Sequence, residues 1–279
     1  MRRETAVADI RLYGWPFAVP CPHFRPKSWI THMPAENLTG HPQRTFDAII
    51  FDVDGVVVAS PHEEAWRSAL DGITDPLRLT TEIYQAHVAG KPRPAGARAV
   101  LDQLGIPDAG HLAIRYAERK QMLVEKLIAD GAFSAFPDAL RFILATRKLG
   151  FGLAVASSSR NAIQMMRLIR FDSGDSLLDS FGANTCGREL LHGKPHPEIF
   201  LLAAAGLGVS PDRCLVVEDA SAGIEAARAG GMAALGVARL HDEALLHAAK
   251  ADLVVASLDE VSTDGLAYGE LRLRAGARQ

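Results

Sequence analysis

Apolar positions cluster in short unbroken runs that stop at glycine or at polar residues, rather than alternating along the chain. Phe46–Phe51, Phe151–Ala156, Cys214–Val217, Met232–Val237 and the short Leu253–Val255 are runs of this kind and predict strands buried on both faces. Between them, Asp138–Leu149, Asn161–Ile169, Pro197–Ala205 and Ala222–Ala229 place apolar residues at helical spacing. Several open on proline or a small polar residue and close at Gly150, Gly206 or Gly230, the asymmetry expected of helix ends. Strand alternating with helix predicts an α/β fold whose parallel sheet is covered on both faces.

Residues 61–136 break that alternation: four helical patterns and no strand follow directly on the first strand. A connection of about 75 residues is too long for a loop, so this stretch is predicted to be a small helical domain inserted into the first. Residues 1–45 hold Pro16, Pro20, Pro22, Pro26, Pro34 and Pro42 with no sustained period, which predicts an irregular, disordered extension. The expected organisation is thus an extension over 1–45, a core over 46–60 and 137–260, the inserted domain over 61–136, and a tail over 261–279.

Composition narrows the field. The 279 residues carry Lys+Arg 30 against Asp+Glu 33, net −3, so no basic field points to nucleic acid. No apolar run reaches membrane-spanning length, and no apolar segment follows Arg2 and Arg3 as a secretory signal would require. Glu4, Asp9 and Glu36 fit a transit peptide poorly. Cys21, Cys186 and Cys214 form neither a disulfide framework nor a CxxC pair. A cytoplasmic protein, monomeric or weakly dimeric, is the expectation.

Three predicted strands run into chemistry. The first ends Asp52-Val53-Asp54-Gly55, the second Ser157-Ser158-Ser159-Arg160-Asn161, the third Glu218-Asp219. In an open parallel sheet the carboxyl ends of neighbouring strands converge on one crevice, where ligands bind. Asp52, Asp54, Glu218 and Asp219 would repel one another there unless a divalent cation intervened, and an all-oxygen set suits Mg²⁺. Any one of these segments alone reads equally well as a turn; three strand ends agreeing does not. Lys194, between Gly193 and Pro195 in a predicted loop, is either a solvated surface lysine or a second counter-charge for an anionic substrate.

Taken in order, Asp52-Val53-Asp54-Gly55-Val56, Ser157, Lys194-Pro195 and Glu218-Asp219 with Ala220-Ser221-Ala222-Gly223-Ile224 resemble the four motifs of the haloacid dehalogenase superfamily, over Phe46 to Ala256. The resemblance implies a Rossmann-like core with a helical cap domain. It also implies Mg²⁺ as cofactor and an aspartyl-phosphate on Asp52. Asp54 would be the general acid/base and lend its carbonyl to the metal; Ser157 would bind the phosphoryl group. Lys194 would neutralise that group and order Asp52, and Asp219 would ligate Mg²⁺ with Glu218 beside it. Asp54 speaks against carbon–halogen cleavage, since dehalogenase members lack an acid there.

Within the superfamily, the inserted domain resembles that of the β-phosphoglucomutase and sugar-phosphatase branch. His62 and Trp66 reproduce an HxxxW, two residues closer to Asp54 than in that branch. Gly90-Lys91-Pro92-Arg93 with Gly96 matches a loop whose arginine grips the non-transferring phosphate, and Lys120 falls where a cap lysine reaches the substrate. Ser157–Asn161 resembles the branch's second-motif loop, and Gly55, Ser158, Ser159, Arg160 and Asn161 join the implied substrate site.

Local readings compete with these. His62 could merely start a helix and Trp66 fill the cap core. Arg93 could be solvated, although its planar fork suits a phosphate dianion. Lys120 interrupts the stripe Leu112, Tyr116, Leu123, Leu127 and either snorkels or aims at the cleft. The implied activity is phosphoryl transfer on a hexose phosphate, most like conversion of β-glucose 1-phosphate to glucose 6-phosphate. Hydrolysis of a sugar phosphate is the alternative, and a catalytically silent sugar-phosphate sensor comes from another class.

Overall fold

The structure is a computed structural model that describes residues 46–277; the expectation for residues 1–45 lies outside them. The first strand, β1 (Ala48–Phe51), is buried at every position. It leads into β2 (Val58–Ala59) and then α1 (His62–Ser68), α2 (Thr81–His87), α3 (Arg93–Gln103) and α4 (Ala109–Ala129). The chain returns through β3 (Ser134–Ala135) to α5 (Pro137–Lys148), β4 (Gly152–Val155), α6 (Ala162–Leu168) and β5 (Ala183–Asn184). Then follow α7 (Glu198–Leu207), β6 (Cys214–Glu218), α8 (Ser221–Ala229), β7 (Ala233–Val237), α9 (Glu243–Ala248), β8 (Leu253–Val255) and α10 (Thr263–Ala267).

Six strands form one parallel sheet in the order β5-β4-β1-β6-β7-β8. Successive side chains of a strand point to opposite faces, and the apolar clusters divide accordingly. Ile49, Phe51, Leu153, Val155, Leu215 and Val217 lie on one face, Ala48, Ile50, Ala154, Cys214 and Val216 on the other. Both faces being covered explains why these strands read as unbroken apolar runs.

The inserted helices α1–α4 enclose an apolar cluster of their own, with Trp66, Leu70, Leu79, Leu101 and Tyr116 at its centre. Tyr116 donates its hydroxyl to Trp66 O at 2.8 Å. Ala65, Val124 and Ile128 belong instead to the cluster under the sheet, so the inserted helices pack directly on the core.

Three features differ from the sequence reading. β2 and β3 pair antiparallel, Val58 with Ala135 and Ala59 with Ser134, so the two crossings between core and cap are zipped into one ribbon. β5 is two residues long, too short to give an apolar run. Residues 261–273 are not a free tail: Val261 and Leu266 are buried in the main cluster, and Leu273 packs against it. Ser262 Oγ accepts from Gly265 N at 3.0 Å and caps α10.

Candidate active site

β4, β1 and β6 are adjacent in the sheet, so the segments that follow them open onto one crevice. Asp52 follows β1, Ser157 follows β4 by two residues, and Glu218 ends β6 with Asp219 beyond it. The cap lies over these strand ends, leaving a cavity of about 430 Å³. Asp52, Asp54, Gly55, Ser157, Ser158, Ser159, Arg160, Asn161 and Asp219 line it from the core. His62, Trp66, Arg93 and Lys120 line it from the cap.

At its base Asp52 is 4% exposed and Lys194 3% exposed. Lys194 Nζ donates to Asp52 Oδ1 at 2.5 Å and also to Glu218 Oε1. Burial works against the Lys194 ammonium, but Asp52 and Glu218 outweigh it and hold it protonated above its ordinary range. Burial pushes the Asp52 carboxyl up to about 8; Lys194 opposes that shift, and Glu218 and Asp54 add to it. Asp219 is raised well above the carboxylate range by burial and by Glu218 and Asp52.

The sequence grouped Glu218 with the metal ligands, and the structure places it elsewhere. Its Oε1 is taken by Lys194, and its Oε2 accepts from Asp219 N at 3.1 Å and Ala220 N at 3.2 Å. A Cβ on Gly223 would stand 1.9 Å from its Cδ, so α8 seals the carboxylate in. Glu218 is an anchor for Lys194 rather than an open ligand.

A second chain of contacts joins core and cap. Ser157 Oγ donates to Asp54 Oδ2 at 2.9 Å. His62 Nε2 lies 3.3 Å from Asp54 Oδ1, off hydrogen-bond alignment, and 2.9 Å from Ser159 Oγ. Lys120 Nζ reaches His62 Nδ1 at 2.9 Å. Because an ammonium only donates, Nδ1 accepts and the proton sits on Nε2, facing Asp54 and Ser159. Burial would raise the Asp54 carboxyl, but the Nε2–H of His62 facing it and the hydroxyls of Ser60 and Ser157 outweigh it and bring it to about 2. Lys120, 5% exposed, is lowered to about 8 by burial, with Asp54 opposing and Arg93 reinforcing the shift. The interrupted stripe on α4 is thus a lysine aimed inward. Trp66 serves both readings, packed in the cap cluster and lining the cavity, with Lys120 Nζ 5.0 Å from its ring centroid.

The remaining loop residues fasten the cap. Ser158 Oγ donates to Gly90 O at 3.1 Å, and Gln121 Nε2 donates to Asn161 Oδ1 at 3.1 Å. Arg160 is exposed at the rim and pairs with Glu189 at 3.5 Å. Arg93, half-buried at the first turn of α3, faces the cavity beside Lys91.

Two residues escaped the sequence reading. Arg239, two positions past β7, donates to Gly55 O at 3.2 Å and to Val56 O at 3.0 Å. It also pairs with Asp138 at 2.8 Å and stacks 3.9 Å from the Phe136 ring centroid. The strand-end argument applied to the fourth strand would have found it. Gln85 on α2 is 7% exposed, lines the cavity, and its Oε1 has no partner; a lone glutamine in a helix gives no signal in sequence.

The donor set accommodates a hard divalent cation. Asp52, Glu218 and Asp219 crowd together around a single buried ammonium. Gly55, at φ +84°, leaves a cradle: a Cβ there would stand 1.8 Å from Asp219 Oδ2. The residues that would hold Mg²⁺ are Asp52 and Asp219 by their carboxylates and Asp54 by its carbonyl.

A buried carboxylate clamped by lysine beneath a capped crevice is the geometry of a phosphoryl-transfer enzyme. The chain matches the family model of the haloacid dehalogenase-like hydrolases over residues 46–231, and it belongs to that family. It is 32% identical to the β-phosphoglucomutase of Mycobacterium bovis over 239 residues, 77% of this chain and 90% of that one. It is 33% identical to the fructose-1-phosphate phosphatase of Escherichia coli over 196 residues, 69% of this chain and 96% of that one. The crystal structure of β-phosphoglucomutase from Clostridium difficile superposes with a TM-score of 0.66 at 27% identity, covering 81% of this chain and 97% of that one. Within the family the chain lies in the β-phosphoglucomutase-like branch, and it is an enzyme of the phosphomutase and phosphatase class. No helix of the described residues is long and apolar enough to cross a membrane.

Proposed function

We propose that this enzyme transfers a phosphoryl group within a hexose phosphate through an aspartyl-phosphate on Asp52, with Mg²⁺ as cofactor, interconverting β-glucose 1-phosphate and glucose 6-phosphate. The observation that carries this reading is Lys120. A buried cap lysine, joined through His62 to Asp54, sits in the same cavity as Arg93 and Lys91. The cleft therefore has one ammonium, Lys194, beneath its base at Asp52, where phosphate transfers, and further cations on the cap, where a second phosphate would rest.

In one half-reaction an Asp52 carboxylate oxygen attacks phosphorus, the phosphorus–ester oxygen bond breaks, and Asp54 gives the leaving oxygen its proton. In the other, a sugar hydroxyl attacks the phosphoryl group on Asp52, returning that carboxylate and passing its proton to Asp54. The ionised resting state of Asp54 suits it to the second step first. Ser157 and Lys194 face the transferring group. When bound, Mg²⁺ would neutralise phosphoryl oxygens and draw the Asp52 carboxyl into its ionised form.

Hydrolysis is the second reading, favoured by the similarity to a sugar-phosphate phosphatase at 33% identity. Phosphorus NMR separates the two. Purified protein with Mg²⁺, β-glucose 1-phosphate and a trace of the bisphosphate should yield glucose 6-phosphate faster than free phosphate. Predominantly free phosphate makes it a hydrolase, and saturable binding without turnover makes it a sensor.

A further inference from the structure

Three residues separate two histidines on either side of the lysine loop, and the loop brings them face to face. His192 and His196 stack with ring centroids 4.5 Å apart and planes inclined by 32°. Glu198, at the first position of α7, completes a set in which one ligand atom from each residue lies within 4.8 Å of the others. His192 Nδ1 is 3.7 Å from Glu198 Oε2, close to the edge of a tetrahedral coordination shell with bonds of about 2.0–2.2 Å.

The backbone around the three side chains is held. Pro195 and Pro197 fix φ on either side of His196. Gly193 is wedged against the cap, where a Cβ would stand 2.1 Å from Pro92 Cγ. The Glu198 carboxylate accepts from Leu191 N at 3.2 Å and His192 N at 3.0 Å. Those bonds use one lone pair on each oxygen and leave each with a further one to offer. His196 Nδ1 accepts a 3.3 Å hydrogen bond from Glu198 N, a weak contact given up if that nitrogen is the donor to a metal. Both histidines are exposed, so a cation can enter from solvent and keep water in its fourth position.

We propose that His192, His196 and Glu198 form a second metal site, separate from the Asp52 cleft, that takes a borderline first-row divalent ion such as Zn²⁺. Two imidazoles and one carboxylate select Zn²⁺, Ni²⁺ or Co²⁺ over Mg²⁺, which prefers oxygen ligands and keeps its waters. The site spans Lys194, whose Nζ holds Asp52 and Glu218. A bound ion would therefore staple together the two ends of the loop that positions that ammonium. The proposal stands independently of which phosphoryl acceptor the enzyme uses.

The test is calorimetric titration of the full chain with ZnCl₂ in excess MgCl₂, read together with histidine ring resonances by NMR. One Zn²⁺ should bind with Mg²⁺ present and move two histidine ring systems, assigned by single substitution to His192 and His196. The paired change His192→Ala and His196→Ala should abolish that binding. Glu198→Gln, which keeps an acceptor oxygen for one of the two backbone N–H groups, should weaken it at least about tenfold. Thermal melts in metal-free buffer should be unchanged in the double variant, because both side chains are solvent-facing. Zn²⁺ binding undiminished in the double variant, its displacement by Mg²⁺, or shifts confined to other histidines would overturn the proposal.

Discussion

Lys120 sits where an ammonium is costly unless something needs it. Buried on α4 between the cap cluster and the cleft, it spends its charge on His62 and, through that ring, on Asp54. Replacing it with methionine keeps the packing and removes the cation. The expected result is a kcat/KM on hexose phosphate lower by about tenfold to a hundredfold, the worth of one or two charged hydrogen bonds. Hydrolysis of a small aryl phosphate, too short to reach the cap, should change little; equal losses on both substrates would move Lys120 out of the substrate site. Asp138 answers to stability instead. It accepts from Arg239 Nη1 at 2.8 Å, Leu258 N at 2.8 Å and Ser257 Oγ at 3.0 Å. Burial would raise its carboxyl, but these partners hold it below the ordinary range. A folded-state pKa below the unfolded one adds stability above the unfolded value, and that stability is lost as pH falls through the folded one. Asp138→Asn should thus cost about 2 kcal/mol at neutral pH and flatten the acid limb of the stability profile. Denaturant melts from neutral to acid pH check both.

At the scale of elements, the strands that carry the chemistry were legible because both faces of the sheet are covered. β1 and β4 are apolar throughout and β6 is apolar up to its last residue, Glu218, and the polar residues at and beyond these strand ends were the candidate site. What stayed hidden lacks a local period. β2, β3 and β5 are two residues long and are defined by partners far away in sequence. The folded stretch past Val261 depends on a cap at Ser262 and on packing against the main cluster. The role of Glu218 was misread because sequence shows which acids converge but not which of their oxygens are already taken. α8 supplies the missing information: Gly223 leaves no room for a methyl group beside Glu218. Gly223→Ala should displace α8 or the carboxylate and destabilise the fold by about 1–3 kcal/mol. Activity should fall along with it as Lys194 loses its anchor. A variant as stable and active as the parent would show that Glu218 has slack.

For the molecule as a whole, the balance between transfer and hydrolysis turns on how the cap is held. Beside the apolar packing of Ala65, Val124 and Ile128 on the core, the clasp over the cleft has a few polar contacts: Ser158 to Gly90, His62 to Ser159, Gln121 to Asn161. Each polar contact is worth about 0.5–1.5 kcal/mol, little enough to break when the cap swings on the β2–β3 ribbon to admit substrate. Gln121→Ala removes one contact without touching Asp52 or Lys194. It should raise the share of phosphoryl groups lost to water by a few-fold at unchanged total turnover, read as the ratio of free phosphate to sugar product.

All of this rests on Asp52 taking the phosphoryl group. Rapid acid quench during turnover, followed by peptide mapping by mass spectrometry, tests it most directly. The account predicts a phosphate adduct on the peptide containing Asp52, formed in the presence of Mg²⁺, labile to hydroxylamine and absent from the Asp52→Asn protein. An adduct on another residue, or full turnover by Asp52→Asn, would contradict it.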